Sequence, residues 1–269
     1  MHRALHQANR FGSTLSVAIS LAISAGILAA PKAVVVSEEN KTPLLQPSYH
    51  KFTSNGVRLH LVSFDSRNCG LKVVDQASGP ASRWSTAASL GKVKNALACI
   101  NAGFFKPNGS PLGLVITDGK VRGSINSSSL GSGFFYTNDK QSGIARKSEL
   151  TTIRNRLSPA HLLQSGPMLS YRGSAIDGLS SSNPRVRSFL ATDGSYRWLI
   201  GYAESATLDQ LGKALTGKRF GDVTIYHAIN LDGGRSSDLW VSPSVLNGNK
   251  TFRALWNKPV RNFLLLTKK

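Results

Sequence analysis

Along this chain the spacing of apolar positions shifts repeatedly between two periods. Val57-Arg58-Leu59-His60-Leu61 alternates apolar and polar residues with period two, as a half-buried strand does. Short apolar or β-branched runs recur at 71–74, 112–117, 133–137, 196–202, 224–231 and 263–267, and each reads as a strand. Asp118-Gly119 and Asp193-Gly194 punctuate these runs as hairpin turns. Helical spacing appears in two places, 85–96 and 207–215. The second opens on Thr207 with Gln210 three residues on, a capping-box spacing, and stops before Gly217. Many strands with few helices predict an α+β fold, a single domain built on a strand-rich, mixed or antiparallel sheet.

The N-terminal pattern is different in kind. Arg3 and Arg10 precede residues 11–31, a run of 21 without one charge. A basic segment followed by an apolar one is the layout of a secretory signal, and 21 residues also suffice to span a bilayer. We read 1–30 as a signal peptide or an N-terminal anchor, 31–49 as a Pro-containing linker, and 50–269 as the folded domain. Both readings place the domain outside the cytoplasm, periplasmic or extracellular, with membrane attachment through residues 11–31 in the anchored case. In that compartment Cys69 and Cys99 are either paired or simply buried thiols.

Charge changes the picture next. There are 33 Lys+Arg against 14 Asp+Glu, a formal net charge of +19, and no acidic residue follows Asp238. Such a surface draws polyanions. Export removes nucleic acid as the expected partner and leaves an anionic or phosphorylated glycan. The sequence holds no G-x-S-x-G, P-loop, Rossmann or H-E-x-x-H motif, and its six histidines are scattered. No cofactor is implied. A zinc site is disfavoured, while a divalent metal remains open.

Scarce acid narrows the candidates for carboxylate chemistry. Asp118, Asp177 and Asp193 precede glycines and are explained as turn residues. Asp232 instead closes the apolar run 224–231 and is followed by Gly233-Gly234-Arg235-Ser236-Ser237. A strand ending in an acid and two glycines lets a ligand approach the backbone closely, and its N–H groups and hydroxyls suit an anion. A plain strand–turn junction explains the same residues. Three further clusters stand out. They are Asn101-Ala102-Gly103-Phe104-Phe105, Gln164-Ser165-Gly166-Pro167, and Asn183-Pro184-Arg185-Val186-Arg187, whose arginines are suited to gripping phosphate.

Together these clusters resemble the phosphodiester glycosidase family, in particular its short bacterial exported members. The matching pieces are INAGFFKPNGSPLGLVITDGKV (100–121), LQSGPML (163–169), NPRVRSF (183–189) and AINLDGGRSSDLWV (228–241). The resemblance implies a catalytic set of Asp232, Arg187 and Asn101. It implies substrate contacts from Gly233, Gly234, Ser236, Asn230, Gln164, Ser165 and Gly166. Arg235 departs from the family pattern, which places a small residue there, and Gly201-Tyr202-Ala203 departs from the eukaryotic-type members. The implied function is an exported hydrolase cleaving a sugar-1-phosphodiester of an envelope glycan or related conjugate. Its phosphate leaving group needs little general-acid help, so one essential carboxylate suffices in place of the usual pair. Glu204 or Asp193 are candidates for a second. The alternative is a non-catalytic envelope protein that binds anionic polysaccharide.

Overall fold

The computed structural model describes residues 42–269, and the signal or anchor expected at 1–30, with most of the linker, lies outside them. Pro43–Lys269 forms one compact unit. Its first strand begins at Ser48 and Leu45 packs on the core, so the fold reaches past the expected boundary at residue 50.

Two antiparallel sheets carry the centre. The larger has seven strands in the order Ser48–Ser54, Val57–Asp65, Arg197–Ala206, Arg185–Thr192, His227–Asn230, Met168–Tyr171, Ser174–Ala175. The other has five, in the order Lys250–Phe252, Leu239–Val241, Ala98–Asn101, Asn262–Lys268, Cys69–Asp75. Their facing sides share one core, with Val62, Phe64, Leu190, Ile200 and Ile229 meeting Leu71, Val73, Ile100, Val241, Leu264 and Leu266. Burying each such side chain contributes roughly 1.5–3 kcal/mol.

The outer faces are covered by the two helices the spacing predicts. Leu208–Leu215 lays Leu211, Ala214 and Leu215 against Leu59, Leu61, Phe189 and Leu199. Its N-cap is Thr207, whose hydroxyl accepts from the Gln210 amide at 3.1 Å while the Gln210 side chain accepts from the Thr207 amide at 2.9 Å. Ala87–Val93 covers the five-stranded sheet through Leu90. Gly91 lets this helix sit on Trp240, because a Cβ there would come within 2.3 Å of the indole. The result is a helix–sheet–sheet–helix stack, α+β as expected. A second five-stranded antiparallel sheet (Lys120–Arg122, Val115–Thr117, His161–Ser165, Gly133–Thr137, Ser142–Arg146) packs beside it. A third helix, Leu150–Leu157, which the spacing did not reveal, buries Leu150 and Ile153 against that sheet.

Two local differences have clear causes. The run 224–231 is not one strand. Val223–Thr224 closes a small hairpin and His227–Asn230 belongs to the large sheet, with Tyr226 exposed at the break. Apolar content marked both pieces, but only pairing partners separate them. Cys69 and Cys99 are not joined. Strand Asn262–Lys268 lies between theirs, and burial pushes both thiols up, Cys69 to about 11.

Candidate active site

Two strand ends, one from each central sheet, meet at the candidate site. Ala98–Asn101 is buried along its whole length between Leu239–Val241 and Asn262–Lys268. His227–Asn230 is equally central in the other sheet, between Arg185–Thr192 and Met168–Tyr171. Beyond its end, the Asp232 amide donates to the Ala102 carbonyl at 2.8 Å. Asn101 Nδ2 donates to the Asp232 carbonyl at 2.6 Å. Asn101 Oδ1 accepts from Ser188 Oγ at 2.6 Å and from the Asp238 amide at 3.0 Å. Asn101 is 0% exposed. Its side chain is therefore committed to the scaffold that holds the 232–238 turn, where the sequence suggested a group reaching substrate.

Asp232 itself is partly buried. Burial pushes its carboxyl up to about 6, against smaller lowering effects of hydrogen bonds from the Ser236 side chain and the Gly233 amide. Gly233 is extended, and a Cβ there would meet the Val186 carbonyl at 3.1 Å and Arg187 Cδ at 3.5 Å. Gly234 adopts φ +61°, which glycine accepts without strain, and starts the single 3-10 turn Gly234–Ser236. The glycine pair thus brings the acid's own backbone against the arginine strand.

Arg187 sits half-buried at a register shift in that strand. Its Nε donates to the Ala206 carbonyl at 3.0 Å and one terminal nitrogen to the Asn183 carbonyl at 3.3 Å. Among the described residues no carboxylate forms an ion pair with Arg187 and no cation forms one with Asp232, so the two charges do not neutralise each other. Burial and then neighbouring Arg185 lower its pKa, which means that an incoming anion would be welcomed there.

Gln164, Ser165, Gly166 and Asn230 form a supporting block behind the turn. Gln164 spends its amide on the Leu114 and Asn126 amides and on the Asn126 and Gly131 carbonyls, at 2.8–3.0 Å. Ser165 Oγ donates to the Asn230 carbonyl at 2.9 Å, and Asn230 Nδ2 donates to the Gly166 carbonyl at 2.8 Å. These residues position backbone. Of the second-carboxylate candidates, Glu204 is held below the usual carboxylate range by His60 and by Arg58. Asp193 accepts from the Ser195 and Arg197 amides of its own turn. Of the three, Asp193 and Asp232 lack a cation, and Asp232 is the one at the junction of the two sheets.

Sequence reasoning missed Asp238 as a member of this site. It is 0% exposed, and its Oδ2 accepts from the Ala87 amide at 2.8 Å and pairs with Arg253 at 3.0 Å. Burial raises its pKa. Its distance from Asp232 along the chain was the available signal. Arg253 begins a loop fastened to the turn again by Asn257 Nδ2 to the Ser237 carbonyl and by Arg235 Nε to the Trp256 carbonyl at 3.2 Å. Arg235 thus points towards this loop, and Trp256 stands 70% exposed beside it. Seven buried side-chain polar atoms lack a partner among the described residues. Four of them (Asn230 Oδ1, Ser237 Oγ, Asp238 Oδ1, Asn262 Nδ2) belong to residues of this junction or the strand ends around it, and a buried polar atom left unpaired calls for an explanation, a functional role being one. The open cavity of about 710 Å³ between Tyr49–Phe52 and residues 243–250 lies elsewhere. No group of three or more metal-ligating side chains occurs among the described residues.

Residues 94–267 match the phosphodiester glycosidase family, a span that contains all four motif blocks and the candidate site residues Asn101, Gln164, Arg187 and Asp232. The chain belongs to the phosphodiester glycosidase family. Solved structures with a similar fold include two proteins. One is the catalytic domain of zebrafish N-acetylglucosamine-1-phosphodiester alpha-N-acetylglucosaminidase, auto-inhibited by its pro-peptide. It aligns with a TM-score of 0.60 and 18% identity, over 87% of this chain and 86% of that one. The other is a hypothetical protein from Synechocystis, with a TM-score of 0.57 and 14% identity, over 86% of this chain and 64% of that one. No curated protein matches the chain.

Proposed function

We propose that the chain is an exported hydrolase that cleaves a sugar-1-phosphodiester at the anomeric carbon, in an envelope glycan or related conjugate. The observation that carries this reading is the Asp232 carboxyl, raised to about 6 and lacking a cation, in a turn packed against an arginine lacking an anion. Asp232 is mostly ionised at neutral pH yet still basic enough to accept a proton, the compromise that general-base or nucleophilic work requires. Arg187 binds the phosphate and stabilises the charge it gains as the bond breaks. In the overall reaction the anomeric C–O bond breaks and its electron pair leaves with the phosphate. Water oxygen bonds the anomeric carbon, and its proton passes to Asp232. The leaving phosphomonoester needs no second carboxylic acid, which suits a site where Glu204 and Asp193 are engaged elsewhere. Export rests on the uncharged run at residues 11–31.

Turnover of a glucosyl-1-phosphodiester panel in ¹⁸O-labelled water tests this. Label recovered in the sugar, with Asp232→Asn inactive and still folded, is the expected result. Label in the phosphate would mean P–O cleavage. Full activity in the Asp232→Asn protein would remove Asp232 from the chemistry.

A further inference from the structure

The net charge of +19 is not spread evenly. Three cavities of about 340, 400 and 240 Å³ adjoin along the edge strand Cys69–Asp75, sharing Asp118 and, pairwise, Lys72, His161, Arg83 and Thr117. Lys72, Arg83, Lys94, Lys120 and Arg122 line them, and Lys268 and Lys269 close one end. None of these cations makes an ion pair. The carboxylates along the groove do little to offset them. Asp75 is held by Arg261 through two bonds of 2.8 and 2.9 Å, and Asp118 faces His161 at 3.5 Å. Asp139 stands alone at the far end. Thr117 Oγ1, in two of the three cavities, is buried without a partner.

We infer that this groove is a binding site for a linear anionic glycan, one carrying phosphate or carboxylate along its backbone, separate from the Asp232 turn. Unpaired cations at intervals along a continuous depression match a chain with charge at intervals. Two other polyanions fit less well. Single-stranded nucleic acid needs exposed rings on which bases stack, and the groove's one tryptophan, Trp84, is 9% exposed with Arg83 laid over it at 4.6 Å. A lipid surface is held more firmly where apolar side chains insert beside the cations, and none of the exposed large hydrophobics lines the groove. The site would hold the polymer while its susceptible linkage is presented elsewhere on the protein.

The experiment uses the full chain and phosphomannan, with neutral dextran and oligo-dT for comparison. Lys72→Gln/Arg83→Gln/Lys94→Gln should weaken phosphomannan binding tenfold or more near 0.1 M salt and lower the log–log salt slope by about two, at roughly 0.7 per lost contact. Lys51→Gln/Lys218→Gln/Lys250→Gln removes the same charge outside the groove and should change affinity less than threefold. Lys72→Gln/Lys94→Gln leaves Arg83 on Trp84, and so separates lost binding from lost packing. Equal losses in both triple variants would mean diffuse attraction and overturn the site. Oligo-dT bound as tightly as phosphomannan, with the same groove dependence, would overturn the glycan assignment. Asp232→Asn should bind normally, so failure of the catalytic reading and failure of this one are distinguishable.

Discussion

Asn101 Nδ2 donates to the Asp232 carbonyl at 2.6 Å, joining residues 131 positions apart and the ends of strands from two different sheets. The acid and the asparagine of the two most distinctive motifs are therefore one structural unit, in which asparagine holds the backbone and aspartate presents the carboxylate. Asn101→Ala would strip partners from the Asp232 carbonyl, Ser188 Oγ and the Asp238 amide at once. Unsatisfied buried groups are costly, so a loss of about 2–4 kcal/mol is expected in urea denaturation. Asn101→Asp should also destabilise, because its charge would face the Asp232 carbonyl.

Asp232→Asn should remove activity and raise stability. The folded carboxyl, at about 6 against an ordinary value of 3.8, holds its proton more tightly than the unfolded chain does. Its ionisation at neutral pH therefore opposes folding, by on the order of 1–3 kcal/mol. A higher thermal midpoint at pH 7 with no turnover is the outcome to look for. A lower midpoint would contradict a carboxylate raised by burial.

The same shift sets a pH dependence. Stability contributed by protonated Asp232 is fully present below the unfolded value near 3.8 and is lost as pH rises through about 6. Activity runs the other way, since the ionised form works. The kcat/KM profile should fall on the acid side with a bend near pH 6, and Asp232→Glu, if active, should move that bend.

Arg187→Ala should lower kcat/KM by about 10²–10³ if the guanidinium stabilises departing phosphate. Arg187→Lys keeps the charge without the planar fork, and should recover only part of it. Steady-state kinetics on both variants, with circular dichroism for the fold, check this.

Arg253→Ala leaves Asp238 buried without its cation, and a loss of about 3–5 kcal/mol is expected. Arg253→Ala/Asp238→Asn should recover much of it, because the stranded charge is gone. A double-mutant cycle in urea reads the coupling.

Much of this was visible in the chain. Period-two alternation over 57–61 located the first half of the strand Val57–Asp65, and an apolar run matched Gly133–Thr137 residue for residue. Thr207 with Gln210 marked a helix start to the residue, because capping is a contact between near neighbours. The four motif blocks pointed to the family, and scarcity of acid singled out Asp232. Pairing was out of reach. The split of 224–231, the strand between Cys69 and Cys99, and the seating of Gly233 against Arg187 all depend on residues far away in sequence.

The division follows the range of the forces. The sequence by itself determined which segments could be strands, which acid closed a long apolar run, and how much excess positive charge the chain carries. Only the tertiary structure decided that Asn101 and Gln164 would spend their amides on backbone while Asp232 and Arg187 kept their charges unpaired. It also gathered cations from distant segments into one groove beside the Cys69–Asp75 edge. Hydrogen-bond satisfaction and desolvation are properties of what surrounds a group, and those surroundings exist only once the sheets have met.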